Sequence, residues 1–320
     1  MIEPVVLRRP IALLFPGQGV QAPGMGLGLY ERYDVAKKVF EKAEELTGFP
    51  LRKLCFEGPA EALNRTEILQ PAVTTVSWAA HAVWEVRHGD AEVVVAAGHS
   101  LGEVAAYAAA GAITWEDALV FVVERGRVMA EAARDQQGGM IAIVGLTEAQ
   151  VEAVRSAAGV DGGIWLANRN SVDQFVLSGT LPAIRSAERL ALEAGARRAV
   201  ILAIPVAAHS PMMGAAAAQF SSLVSRLPFS TPKFAVLGNR DGSPLHTPDE
   251  LRHELDGQML RQVDWARTMQ TMHGFGVRTV VELGPGRVLA SLATKHYEEM
   301  QSWNADELLV QFAEGVPATR

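Results

Sequence analysis

Apolar residues fall along this chain in short unbroken runs separated by stretches of helical spacing. They do not alternate in and out as in a half-solvated sheet. Ile11 to Phe15 is one run, stopped by Pro16, Gly17 and Gly19; Glu92 to Ala97 is largely another, stopped by Gly98. A continuously apolar strand is one covered on both faces, as in a parallel sheet flanked by helices. Between the two runs the spacing predicts a helix over 34–47, with Val35, Val39, Phe40 and Ala43 on its buried side. A nearly uncharged helix from about Pro71 to Arg87 must be enclosed on most sides. An Ala-rich helix over 103–110 follows Gly98 almost at once.

The texture changes between Gln136 and Pro205. A strand over 140–144, a helix over 148–157, strands over 164–167 and 175–178, a helix over 182–194 and a strand over 198–203 are expected. That βαββαβ order is the order of a small ferredoxin-like domain, and roughly 70 residues suffice for an independent unit. The earlier pattern then resumes: a strand near 234–237, a helix over 248–262, a strand over 279–282 and the turn Gly284-Pro-Gly286. The expected fold class is α/β. A large α/β-hydrolase-like domain with a parallel sheet spans residues 1–135 and 206–320, and an inserted ferredoxin-like small domain spans 136–205. No internal repeat or low-complexity segment interrupts this plan.

Composition narrows the function classes. With 49% hydrophobic and 20% charged residues over 320 positions, the chain can bury a core, which excludes disorder as the main state. The 29 Gly and 16 Pro follow no short period, which excludes a collagen-like or coiled-coil protein. A net charge of −7 disfavours nucleic acid as partner. The single cysteine, Cys55, can form no internal disulfide and suits a reducing compartment. The N-terminal residues lack the basic, apolar, small-residue order of a signal peptide, and no apolar stretch reaches the ~18–20 residues of a membrane span. A cytoplasmic protein with no membrane contact is expected.

Gly98-His99-Ser100-Leu101-Gly102 has the form G-x-S-x-G, between an apolar strand and a helix. In a nucleophile elbow the glycines let backbones approach, the turn projects the serine hydroxyl, and the following helix offers unpaired N–H groups to an oxyanion. The bare string recurs by chance as a Gly/Ser-rich turn; the strand before it and the helix after it favour the elbow. Such a serine needs a base. Of eight histidines, His209 stands out, in the small-residue segment Pro205-Val-Ala-Ala-His-Ser-Pro211 just after the inserted unit. A structural and a catalytic histidine are equally compatible with that position. His99, beside the serine, is assigned a supporting role. Gly17-Gln18-Gly19 follows the first strand, as a plain turn or as the donor of an oxyanion amide. Arg125 lies in the apolar helical stretch Val122 to Val128 and requires an anionic partner, either an internal acid or a substrate carboxylate.

Together these motifs resemble the malonyl-CoA:acyl-carrier-protein transacylase family, including the acyltransferases of polyketide synthases. The resemblance rests on Phe15-Pro-Gly-Gln-Gly19, Gly98-His-Ser-Leu-Gly-Glu103, Arg125-Gly126, Asn168 within Ala167-Asn-Arg-Asn-Ser171, Asn239, Gln258 and Glu282-Leu-Gly-Pro-Gly286. It runs from residue 11 to about 295 and implies a Ser–His dyad. Ser100 would carry the acyl group, His209 would serve as base and then acid, and the N–H groups of Leu101 and Gln18 would hold the oxyanion. Arg125 would bind the free carboxylate of malonyl. A backbone oxygen near Gln258, with Asn239 nearby, would orient the histidine, and Asn168 would line the site from the small domain. A ping-pong exchange follows, from coenzyme A to a carrier-protein phosphopantetheine thiol in fatty-acid or polyketide synthesis, with no metal and no resident cofactor. A monomer is expected. One departure bears on the substrate. The family's malonyl-selective polyketide members commonly carry Phe before the histidine and its methylmalonyl-selective members Ser, whereas this chain has Ala208. An acidic carrier would need a basic patch, for which Arg169, Arg197, Arg198 and Lys295 are candidates. Three rivals stand beside this reading: a transacylase for an uncharged acyl group, a serine esterase or thioesterase using one of Asp117, Asp135, Asp161 or Asp173, and a non-catalytic carrier-binding protein.

Overall fold

Eleven strands in two sheets organise the described residues, which in this computed structural model are 6–89, 91–135, 137–159, 162–204 and 206–307. The expected junction residues Gln136 and Pro205 lie outside them, as do Asp161 and both chain ends. In chain order the strands are β1 (Ile11–Phe15), β2 (Val93–Gly98), β3 (Gly138–Val144), β4 (Ile164–Ser171), β5 (Gln174–Thr180) and β6 (Arg198–Ile201). After them come β7 (Ala235–Leu237), β8 (Pro244–Leu245), β9 (Val263–Asp264), β10 (Thr279–Glu282) and β11 (Gln301–Asn304).

The larger sheet has the order β11-β10-β1-β2-β7-β8 and is parallel throughout except for the terminal pair β7–β8. Its central strand shows why the apolar runs are unbroken. Ile11, Leu13 and Phe15 enter one core cluster with the helices Thr66–His88 and Trp115–Asp135. Ala12 and Leu14 enter the opposite cluster with Trp265, Met269, Leu289 and Leu292. Successive side chains point to opposite faces, and both faces are covered.

The second sheet has the order β6-β3-β5-β4-β9. Here too the alternation divides two environments. Ile141 and Ile143 pack with Val151, Val154, Ile184 and Ala187 of the helices Glu148–Ala158 and Leu181–Glu193. Met140 and Val176 face the main core instead. The sheet also takes in β9, from beyond residue 206, which pairs in parallel with β4 at Asn168 and Arg169. Its edge is thus completed by a segment remote in sequence from 136–205.

Several elements differ from their expected extents. The long helix begins at Thr66 and holds Pro71 inside it; the missing N–H and the crowding of the ring against the Glu67 carbonyl are costs that the nearly complete burial of this segment offsets. The helix expected over 248–262 is capped by Thr247 and stops at Asp256, after which the chain turns at Gly257. That early stop leaves the carbonyls of Gln258 and Arg261 outside any helix, where they acquire a different use. β4 and β5 run on to Ser171 and Thr180, so Asn168 sits on a strand, not in a loop. β6 ends at Ile201, short of the expected residue 203. Among the described residues no helix is long and apolar enough to cross a membrane.

Candidate active site

The elbow is built by main-chain contact. A Cβ at Gly98 would lie 2.0 Å from the carbonyl carbon of Gly102, and one at Gly102 would lie 2.0 Å from the carbonyl oxygen of Phe15. Only glycine permits β1, β2 and the helix Gly102–Ala109 to approach so closely. Ser100 is held between them at φ 51°. Among the described residues one other non-glycine has positive φ, and it is His209, at 58°. Strain at two positions 109 residues apart in sequence converges on one hydrogen bond, from Ser100 Oγ to His209 Nε2 at 2.8 Å.

The proton positions follow from the partners. His209 Nδ1 lies 2.9 Å from the carbonyl oxygens of both Gln258 and Arg261. Carbonyls only accept, so Nδ1 carries the hydrogen and Nε2 presents a lone pair to the serine hydroxyl. Burial, then the positive charge of Arg125 and the neighbouring His99, push the pKa of His209 down to about 4. A base held neutral stays competent as pH falls, until protons compete for Nε2. The acid limb of single-turnover acylation is therefore expected near the shifted value of about 4, well under the ~6.5 of an ordinary imidazole. A pH series of acylation rates checks this, and a limb centred near 6.5 would contradict it.

Arg125 is 1% exposed and forms no ion pair among the described residues. Neither Glu124 nor another acid of the described residues pairs with it directly: Glu124 binds Arg127, and the buried Glu103 acts on Arg125 only from beyond ion-pair range. Arg125 instead donates to neutral acceptors. Nε and Nη2 reach Gln258 Oε1 at 3.2 and 2.9 Å, Nη1 reaches Gln70 Oε1 at 2.9 Å, and Nη2 reaches Ser100 Oγ at 3.2 Å. Burial pushes its pKa down to about 10, which still leaves it cationic at neutral pH. The guanidinium thus stands beside the nucleophile with its charge uncompensated at hydrogen-bond range.

Asn239 lies on the serine side of the site and not, as expected, beside the histidine. Its Oδ1 accepts from the Ser100 N–H at 2.7 Å, and its Nδ2 donates to the Gly98 carbonyl at 2.8 Å, pinning the strained turn from both ends. His99 Nε2 is 2.9 Å from Asn170 Oδ1, which links the elbow to β4. Asn168, on the same strand, is buried with its Nδ2 unpartnered. Leu101 follows Ser100 at the helix start, and Gln18 lies in the turn after β1. Among the described residues neither backbone N–H is spent on a protein acceptor. Gln18, His99, Ser100, Asn168, Asn170, Ala208 and His209 all line one cavity of about 310 Å³ between the two sheets. Its remaining wall includes Met140, Val176 and Leu289, so it is apolar with a few convergent polar groups. Arg125 lies behind the wall and touches the cavity through Ser100.

Sequence reasoning assigned no role to Gln70, Asn170, Glu103 or Arg261. A lone amide within the uncharged run preceding Pro71 was the available signal for Gln70. Nothing in the sequence could flag Arg261, which contributes a carbonyl. Of the basic candidates, Arg197 and Lys295 both bind Asp173, and Arg169 binds Glu148 and Asp264. Arg198 is exposed, and no salt bridge engages it among the described residues. No group of three potential metal ligands occurs among the described residues.

The sequence model of the acyl transferase domain family matches residues 12–317. The chain belongs to that family. It is 35% identical to the malonyl CoA-acyl carrier protein transacylase of Haemophilus influenzae, over 94% of this chain and 96% of that protein. The solved malonyl CoA-acyl carrier protein transacylase of Coxiella burnetii superposes with a TM-score of 0.91 at 32% identity, covering 97% of this chain and 98% of that one. A type II polyketide synthase acyl-carrier protein in complex with its malonyl-transacylase gives 0.89 at 32% identity, over 96% and 100% of the two chains. At His209 two carbonyls take the place a carboxylate holds in a triad. Of the acids weighed for an esterase, Asp117 bonds Thr114 and Asp173 bonds Ser171, Arg197 and Lys295. Asp161 and the side chain of Asp135 lie outside the described residues.

Proposed function

We propose that this acyltransferase moves a malonyl group from coenzyme A to the phosphopantetheine thiol of an acyl carrier protein through an ester on Ser100, in fatty-acid or polyketide synthesis. One observation carries the reading beyond acyl transfer in general: a cation, Arg125, buried 3.2 Å from the nucleophile with only neutral partners. A free carboxylate on the acyl group would supply the missing charge, through the bidentate geometry that guanidinium favours. An acetyl group would leave that charge unpaired, which costs several kcal/mol in a dry site.

The chemistry follows from the proton arrangement. Ser100 Oγ attacks the thioester carbonyl as its proton passes to His209 Nε2, and the backbone N–H groups of Gln18 and Leu101 receive the developing oxyanion. The C–S bond then breaks and the departing thiolate takes the proton from Nε2. In the second half the carrier thiol gives its proton to Nε2 and attacks the ester, and Ser100 leaves with that proton. The apolar wall contributed by β3 and β5 disfavours water as the competing acceptor. In this reading residues 136–205 are a ferredoxin-like insertion in a hydrolase-like domain, and its strand order β6-β3-β5-β4 supports the description.

Incubation with malonyl-, methylmalonyl-, ethylmalonyl- and acetyl-CoA, followed by intact-mass analysis, tests the proposal. A malonyl adduct on Ser100 that a carrier protein discharges is expected. Preferential acetylation, or hydrolysis without transfer, would overturn it. Ala208 gives a second reading a footing, since it lines the cavity and its methyl group leaves room for a branched acid. Preference for methylmalonyl or ethylmalonyl in the same panel would select that reading.

A further inference from the structure

A buried carboxyl group next to the site takes no part in that chemistry. Glu103 is fully buried in the first turn of the helix that follows the nucleophile, and each of its carboxylate oxygens receives a donor. Oε1 accepts from the Asn239 main-chain N–H at 3.1 Å, and Oε2 accepts from Gln258 Nε2 at 2.6 Å. Those two partners are the residues that brace the site. Asn239 accepts from the Ser100 N–H, and Gln258 Oε1 accepts from Arg125.

We propose that Glu103 is a positioning residue, one carboxylate that anchors both the turn carrying Ser100 and the carboxamide that aims Arg125. The second branch rests on the reading of Arg125 as the substrate-carboxylate clamp. The argument is one of donor and acceptor parity. Arg125 offers only donors, so Gln258 must face it with oxygen, and the amide nitrogen must then point away. Away from Arg125 that nitrogen meets two acceptors, Glu103 Oε2 and the Ser100 carbonyl at 2.9 Å. The Asn239 N–H requires a third acceptor in the same place. A carboxylate, which accepts through both oxygens and donates through neither, satisfies both neighbours at once. A carboxamide has one oxygen, so its NH₂ must oppose either the Asn239 N–H or the Gln258 NH₂. Glu254 and Tyr107 also lie near Glu103, and Arg240 N–H donates to Glu254 Oε1 at 2.8 Å. Burial, then the charge of Glu254, push the pKa of Glu103 up to about 8 against the bonds from Gln258 and Asn239, so it is the geometry, one donor aimed at each oxygen, that calls for a carboxylate with no proton on either.

The experiment compares kcat/KM for malonyl-CoA and acetyl-CoA in the full-length wild type, Glu103→Gln and Arg125→Ala, with thermal unfolding as the check on folding. Glu103→Gln is expected to cut the malonyl-to-acetyl ratio at least tenfold, because Arg125 is no longer held by an oriented amide. A purely structural role would lower both values together and leave the ratio intact; that outcome overturns the proposal. Combining Glu103→Gln with Gln258→Leu should lower the ratio no further than Gln258→Leu alone, since both act on one branch. Additive losses would overturn the route through Gln258. If Glu103→Gln does not fold, Glu103→Asp decides: it keeps the charge but withdraws it by one methylene, and an unchanged ratio rejects the proposal. Should Arg125→Ala itself leave the ratio unchanged, the clamp reading fails. If Arg125→Ala collapses the ratio and the Glu103 variants do not, only the positioning role fails.

Discussion

Ser100→Ala should abolish acyl transfer, with losses of roughly 10⁴-fold or more and no acyl adduct in the intact mass. Among the described residues that line the cavity, the serine alone carries a hydroxyl or thiol that could hold the ester. Its hydroxyl is 2.8 Å from a histidine nitrogen whose lone pair is forced toward it, and 3.2 Å from a guanidinium that stabilises negative charge on oxygen. His209→Ala should cost a similar factor, because a serine without a base is a poor nucleophile at neutral pH. The two losses should not add: the double variant should be about as slow as either single one, as for residues that act as one unit. Substantial additivity, or a retained adduct in Ser100→Ala, would remove the dyad from the mechanism. Neither change should much disturb the fold, and relief of the positive φ at position 100 or 209 is not expected from alanine, which tolerates that region no better.

The second large effect concerns selectivity. Arg125→Ala should lower kcat/KM for malonyl-CoA by roughly 10²-fold to several 10³-fold, the equivalent of the ~3–5 kcal/mol lost when one partner of a buried pair is removed. Acetyl-CoA should instead become a better substrate than it is for the wild type. The two changes have one cause. The wild-type site contains a buried cation held by the neutral oxygens of Gln258 and Gln70, which a malonyl carboxylate neutralises and an acetyl group does not. Replacing the guanidinium by a methyl group removes the attraction for one substrate and the penalty for the other. Equal losses for both acyl groups would show that Arg125 serves Ser100 alone, through its 3.2 Å contact, and does not read the acyl chain.

Much of this is legible in the sequence alone. Ile11 to Phe15 reads as a strand covered on both faces, and its side chains do divide between two core clusters. Gly98 and Gly102 read as the glycines of an elbow, and main-chain contacts at 2.0 Å leave no space for a Cβ at either. The helix over 34–47 matches to the residue, because four apolar positions at helical spacing and a terminal glycine leave no competing register. Less legible were features made by chain reversal. The helix expected to run through residue 262 stops at Asp256, and the turn that follows brings the carbonyls of both Gln258 and Arg261 to His209. Asn239 was assigned to the histidine but braces the serine, since its partners at Gly98 and Ser100 lie about 140 residues away in sequence.

The sequence by itself determined the local matters: which segments are strands and helices, where the glycine turn is tight, and which residue types were available for acyl transfer. These depend on side-chain period and on backbone sterics within a few residues. The tertiary structure alone decided which nitrogen of His209 holds the proton, that among the described residues Arg125 has no acid at ion-pair range, and that one carboxylate at Glu103 meets both Asn239 and Gln258. Those are contacts of a few ångströms between groups more than 40 residues apart. Hydrogen-bond parity is settled only when the whole shell is assembled, so periodicity along the chain carries no record of it.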